Sequence, residues 1–118
     1  MKLNTHIKEI LADTKTPVSL YLALRDKYAS SVLLESSDYN SKEGHYSYIC
    51  LKPLASFALN DGTIRIKSGK EIIETRIGYD GIELIKQFNT FKNSFVVEEQ
   101  KFQFCTSGLF GYTSFDII

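Results

Sequence analysis

The stretch SYICLKPLASFALNDGTIRIKSGKEIIETRI, residues 47–77, is where the fold declares itself. Asn60-Asp61-Gly62 is a strong turn signal, because Asn, Asp and Gly tolerate the left-handed backbone that tight turns need. Thr63-Ile64-Arg65-Ile66-Lys67 alternates apolar and polar with period two, as a half-buried strand does. Ser68-Gly69-Lys70 turns the chain again and Glu71–Ile77 returns. Together these predict a β-meander. The long first run is broken at Pro53, which cannot donate to a ladder and so implies an edge position or a bulge there.

Downstream, Asp80 and Glu83 have the spacing of a capping box, with Asp in the Ser/Thr role. Leu84, Phe88 and Phe91 recur at i, i+4 and i+7, which predicts a helix over 80–91 with one face on the sheet. Residues 101–107, KFQFCTS, alternate as a strand. Upstream, Thr16 can cap a helix start and Pro17 fits the first helical position. Leu20, Leu24 and Tyr28, widened by Tyr21 and Leu22, predict a mostly buried helix over 17–28. Residues 3–12 are open to a short strand or a weak helix. Ser31–Leu34 is a β-prone run that stops in Glu35-Ser36-Ser37-Asp38, as a central strand does on reaching the sheet edge. Residues 37–45 are polar, contain Gly44 and read as a loop. The expected class is α+β: antiparallel strands in one sheet, with helices 17–28 and 80–91 on one face.

Composition bounds the function. The chain has 118 residues, one domain's length, and is 43% hydrophobic and 24% charged. Fourteen Lys and Arg balance fourteen Asp and Glu. Phosphate binding needs a positive surplus, so nucleic acid is not an expected partner, and neither is an anionic membrane surface. The apolar runs are too short to span a bilayer. The start, MKLNTHIKEI, has no apolar segment of the secretory kind. Cys50 and Cys105 sit in no CxxC pattern and read as reduced thiols of a cytoplasmic protein, packed in strands. Two Cys and two scattered His do not supply a zinc cluster.

Catalytic motifs are absent: no GxSxG, no P-loop and no GxGxxG. His6 and His45 read as solvated side chains. Glu35-Ser36 is the pair that suggests chemistry. A carboxylate closing an apolar strand can receive a ligand ammonium in a charge-assisted hydrogen bond, and a neighbouring hydroxyl can hold a second polar group. That suits an amino acid; the plain alternative is a loop cap and a turn. The closing run GLFGYTSFDII is apolar and aromatic, unlike most termini. Either it docks as a last strand or the chain is the front piece of a longer protein.

Thr16-Pro17-Val18-Ser19, Leu33-Leu34-Glu35-Ser36 and Tyr46-Ser47-Tyr48-Ile49 resemble, in the same order, the TPVS, LLES and RYSFIG segments at the front of anthranilate synthase component I. GLFGYTSFDII is similar to the glycine and aromatic segment that precedes that family's catalytic half. His45 replaces the usual arginine, and Tyr46 stands where some members have lysine. The resemblance covers the whole chain. It implies the layered α/β/β/α fold of that family and an enzyme that takes chorismate and ammonia to anthranilate and pyruvate in tryptophan biosynthesis. It implies Mg²⁺ and a glutamine amidotransferase subunit as partner. The chorismate and Mg²⁺ residues belong to the C-terminal half, so residues 1–118 alone are expected to be inactive and to hold no cofactor. It also implies an L-tryptophan feedback site, which maps to Pro17, Glu35, Ser36, Tyr46 and Ser47. Competing readings are aminodeoxychorismate synthase component I, a stand-alone amino-acid-binding regulatory domain and a purely structural module. An incomplete fold would leave apolar surface exposed, so the isolated chain is expected to self-associate.

Overall fold

The structure is a computed structural model, and it describes residues 1–35, 46–97 and 107–113. In chain order the elements are β1 (Lys2–Leu3), α1 (Pro17–Leu24), β2 (Val32–Glu35), β3 (Ser47–Cys50), β4 (Ala55–Asn60), β5 (Thr63–Ser68), β6 (Glu71–Arg76), α2 (Gly81–Asn93) and β7 (Val96–Val97). The class is α+β, as expected. The described strands do not form one sheet, however. They make three: antiparallel β2-β3, antiparallel β4-β5-β6, and a short parallel pair of β1 with β7. The chain divides into two compact units. The described residues of one are Met1–Leu3, Pro53–Val97 and 112–113; those of the other are 4–35, 46–52 and 107–111.

In the first unit the meander is built by its turns. Asp61 and Gly62 link β4 to β5, both with positive φ (50° and 74°), the geometry of a type I′ hairpin. Its twist matches that of the strands it joins. Gly69, at φ 61°, opens the two-residue turn from β5 to β6. Beyond β6, the Ile77 and Gly78 amides donate to the Gly62 carbonyl at 2.8 and 3.0 Å. A Cβ on Gly62 would stand 3.0 Å from the Gly78 Cα, so this closure requires glycine.

The register puts Ala55, Phe57, Leu59, Ile64, Ile66 and Ile73 on one face. Helix α2 covers part of it. Asp80 caps the helix: one carboxylate oxygen accepts from the Ile82 and Glu83 amides, each at 3.1 Å. The reciprocal half of the expected capping box does not form. Glu83 instead accepts from Gln87 Nε2 at 3.0 Å, and the Asp80 amide donates to the Ile77 carbonyl at 3.3 Å. Phe88 and Phe91 meet Phe57 with centroids 5.4 and 5.5 Å apart, and Phe91 meets Phe95 at 5.2 Å. Among the described residues, Ile64, with 0% of its surface exposed, and Phe91, with 6%, are the buried core. Burying each such side chain stabilises by about 1.5–3 kcal/mol.

The second unit is looser. Helix α1 begins with a full capping box between Thr16 and Ser19: the Thr16 hydroxyl accepts from the Ser19 amide at 3.1 Å, and the Ser19 hydroxyl accepts from the Thr16 amide at 3.0 Å. It ends at Leu24 rather than Tyr28, and the chain leaves through turn bonds from Lys27 and Tyr28 to the Leu24 carbonyl. The expected burial is corrected too. None of its residues is fully buried, and Tyr21 rather than Leu20 joins Leu24 and Tyr28 on the half-buried stripe. Tyr21, Leu24 and Tyr28 at i, i+3 and i+7 lie one above the other on a helix, as Leu20, Leu24 and Tyr28 also do. Which of the two stripes faces inward depends on what the helix packs against.

Residues 3–12 give only the end of β1, followed by irregular chain. The expected break at Pro53 is a full interruption: β3 stops at Cys50, Lys52 takes φ 50°, and β4 starts at Ala55. The strand predicted over 101–107 and the end of the closing run at 114–118 lie outside the described residues, apart from Ser107. Among the described residues no helix is long and apolar enough to cross a membrane.

Candidate functional site

The residues singled out by sequence gather on the β2-β3 hairpin and the helix beside it. The pairing is Val32 with Cys50, Leu33 with Ile49, Leu34 with Tyr48, and Glu35 with Ser47. Glu35 and Ser47 therefore stand directly opposite each other at one end of the ladder. Directly opposed residues point to the same side of a sheet, with Cβ atoms about 4.5–5.5 Å apart. Alternation puts Leu33 and Ile49 on that side as well. The result is a carboxylate and a hydroxyl side by side, next to two aliphatic side chains. Glu35 and Ser47 are exposed, so the carboxylate can meet a ligand cation without first being stripped of water by the protein.

Helix α1 packs against both strands. Pro17 is its first residue, held in helical geometry by the Thr16–Ser19 box and itself exposed. Tyr46 immediately precedes β3. Ser36 and His45 lie outside the described residues, so of the five expected ligands the structure pairs two, Glu35 and Ser47, and puts Pro17 on the helix that contacts β2 and β3.

Sequence reading missed what holds this arrangement. The Tyr21 hydroxyl donates to the Ser31 carbonyl at 3.4 Å, just before β2. Lys52 Nζ lies 5.3 Å from the centre of the Tyr28 ring, just after β3. On the other side of the hairpin Tyr48 stacks on Phe110 at 5.6 Å, with planes tilted by 39°. The signal for the first two was the Tyr21/Leu24/Tyr28 spacing; for Phe110 it was the need of that apolar run for a packing surface. Among the described residues no three His, Cys, Asp or Glu side chains stand together as metal ligands.

Curated proteins named anthranilate synthase component 1 match the chain along most of its length. That of Lactococcus lactis is 34% identical over 110 residues, and that of Aquifex aeolicus 30% identical over 115, each covering 93% of this chain. That of Acinetobacter calcoaceticus is 30% identical over 115 residues, covering 94%.

The chain is a relative of anthranilate synthase component 1.

The chain spans about a fifth of these synthase components, 22% of each. The aligned stretches include the three segments that carry the sequence resemblance, and with them the residues of the hairpin. No family model and no solved structure matches the chain.

Proposed function

We propose that this chain is the N-terminal section of an anthranilate synthase component 1 and that it contributes the site through which L-tryptophan inhibits the enzyme. The observation that carries the reading is the pairing of two exposed residues, Glu35 and Ser47, at one end of a hairpin that α1 contacts, in a chain related to that synthase component. The Glu35 carboxylate would receive the α-ammonium of tryptophan, a charge-assisted bond worth about 1.5–3 kcal/mol. The Ser47 hydroxyl supplies a polar contact beside it, and Ser36 is the family's second polar ligand. Leu33, Ile49 and Pro17 offer apolar surface for the indole, with Tyr46 at the margin.

The reaction belongs to the longer protein. Chorismate and ammonia give anthranilate, pyruvate and water, with Mg²⁺ and chorismate held beyond these residues and ammonia supplied by a glutamine amidotransferase subunit. Inhibition is then a coupling between two distinct sites: tryptophan binds one arrangement of the enzyme better than the other and shifts the population towards it. The isolated 118 residues are inactive in this reading. Exposed Ile82 and Ile85 on α2 support self-association of that isolated chain.

Two measurements test the reading. The intact mass of the native gene product should be several times that of 118 residues; a product of 118 residues would leave a small amino-acid-binding module instead. In the full-length enzyme, Glu35→Gln should raise the tryptophan concentration for half-inhibition at least tenfold, each variant being compared with its own uninhibited rate. Unchanged inhibition would remove Glu35 from the site.

A further inference from the structure

The hairpin and α1 are fastened to each other at one end. Ser31 and Lys52 flank the open end of the hairpin, where Val32 pairs with Cys50. Two contacts fall there, one from Tyr21 within α1 and one from Tyr28 in the turn that follows it. The Tyr21 hydroxyl donates to the Ser31 carbonyl at 3.4 Å, and the Lys52 ammonium lies over the Tyr28 ring at 5.3 Å. The other end of the hairpin carries Glu35 and Ser47. Pro17 lies one turn before Tyr21, about 6 Å along the helix. Tyr28 is joined to the end of α1 by the hydrogen bond from its amide to the Leu24 carbonyl, so a tie at Tyr21 and one at Tyr28 together set the angle of the helix on the four-residue ladder. The position of its first turn relative to Glu35 follows from that angle.

The pins themselves are soft. An exposed cation–π contact is worth about 0.5–1 kcal/mol, and a hydrogen bond of 3.4 Å sits at the weak end of its class. No α1 residue is fully buried to add stiffness. The angle is therefore held by terms small enough for a ligand's binding energy to compete with. A site built across such a contact binds with an apparent affinity reduced by the fraction of molecules in the right arrangement.

We propose that Tyr21 and Tyr28 are positioning residues of the tryptophan site: neither touches the inhibitor, and both set its affinity by holding α1 on the open end of the β2-β3 hairpin. This rests on the reading of Glu35 and Ser47 as that site. It adds two residues for which the sequence offered only a place in a helix.

The experiment is tryptophan inhibition of the full-length enzyme carrying Tyr21→Phe, Tyr28→Leu, both together, and Tyr28→Phe as the conservative control. Each of the first two should raise the half-inhibitory concentration about two- to fivefold, and the pair about tenfold, with the KM for chorismate unmoved. Tyr28→Phe keeps a ring face for Lys52 and should restore wild-type inhibition. Wild-type inhibition in the double variant overturns the proposal. So does a loss of inhibition in Tyr28→Leu that Tyr28→Phe does not rescue, or a change in KM that parallels the change in inhibition, since either marks a general structural role. A wild-type enzyme indifferent to tryptophan, or to Glu35→Gln, would instead bring down the site reading itself.

Discussion

The two units of this chain are held by different means. The meander unit is fixed by its turns: Asp61-Gly62 and Gly69-Lys70 join neighbours in sequence, and the Gly62 carbonyl ties the end of β6 back to the first turn. Its core is small but closed around Ile64 and Phe91. The hairpin unit pairs Glu35 with Ser47 across a long connection, and its helix offers a stripe that is only half buried. Closure between near neighbours in sequence costs little chain entropy, and the cost grows with the separation of the residues that are paired. The unit that carries the candidate site is thus the one whose geometry depends on a few side-chain ties. Ligand-responsive parts are commonly drawn from the less stable regions of a protein.

This contrast can be broken or sharpened by substitution. The largest effect should come from Ile64→Ala, which opens a cavity at the one side chain that is fully buried among the described residues. A loss of about 3 kcal/mol is expected in denaturant unfolding. A loss below 1 kcal/mol would mean that the meander unit is no better packed than the hairpin unit. Gly62→Ala comes next. It places a Cβ on a left-handed residue, 3.0 Å from the Gly78 backbone, and should cost about 2 kcal/mol, read in the hydrogen exchange of β5 and β6 amides. If those amides keep their protection, the turn is not what fixes the meander.

Thr16→Ala removes the cap of α1 and should cost about 1 kcal/mol. The loss should appear as faster exchange in α1, with the meander amides unchanged; a loss shared by both units would erase the distinction between them. The smallest effect belongs to Arg65 and Glu74, directly opposed on β5 and β6 with Nε and Oε1 3.6 Å apart. Both are more than half exposed, so a double-mutant cycle should return about 0.5 kcal/mol, falling further in high salt. A coupling well above 1 kcal/mol would show that cross-strand charge, and not turn chemistry alone, holds the meander.

Legibility in the sequence followed the same division. The meander, both of its turns, the Asp80 cap and the Phe88 and Phe91 contacts of the helix with the sheet were all readable, because each rests on residues within one or two turns of chain. The Thr16 cap and the Pro17 start were readable for the same reason. Half of the Asp80–Glu83 box was not, because Gln87, one turn further on, competes for the Glu83 carboxylate. In the candidate site, Glu35 and Ser47 could be named one at a time from the resemblance. Their opposition could not, since it depends on a strand register set across eleven intervening residues, Ser36–Tyr46.

By itself, then, the sequence determined the local grammar of this protein: where helices are capped, where the chain turns, which strands are neighbours through two-residue loops, and which segments resemble a synthase. Tertiary structure alone decided the division of the strands among three sheets, the parallel pairing of β1 with β7, the choice of Tyr21 over Leu20 as the inward residue of α1, and the ties from Tyr21 and Tyr28 to the hairpin. The physical reason is range. Caps, turns and periodicity act over a few residues and leave a mark in composition. Which face turns inward, and which distant strand becomes a partner, is settled by surfaces that meet only after the chain has folded.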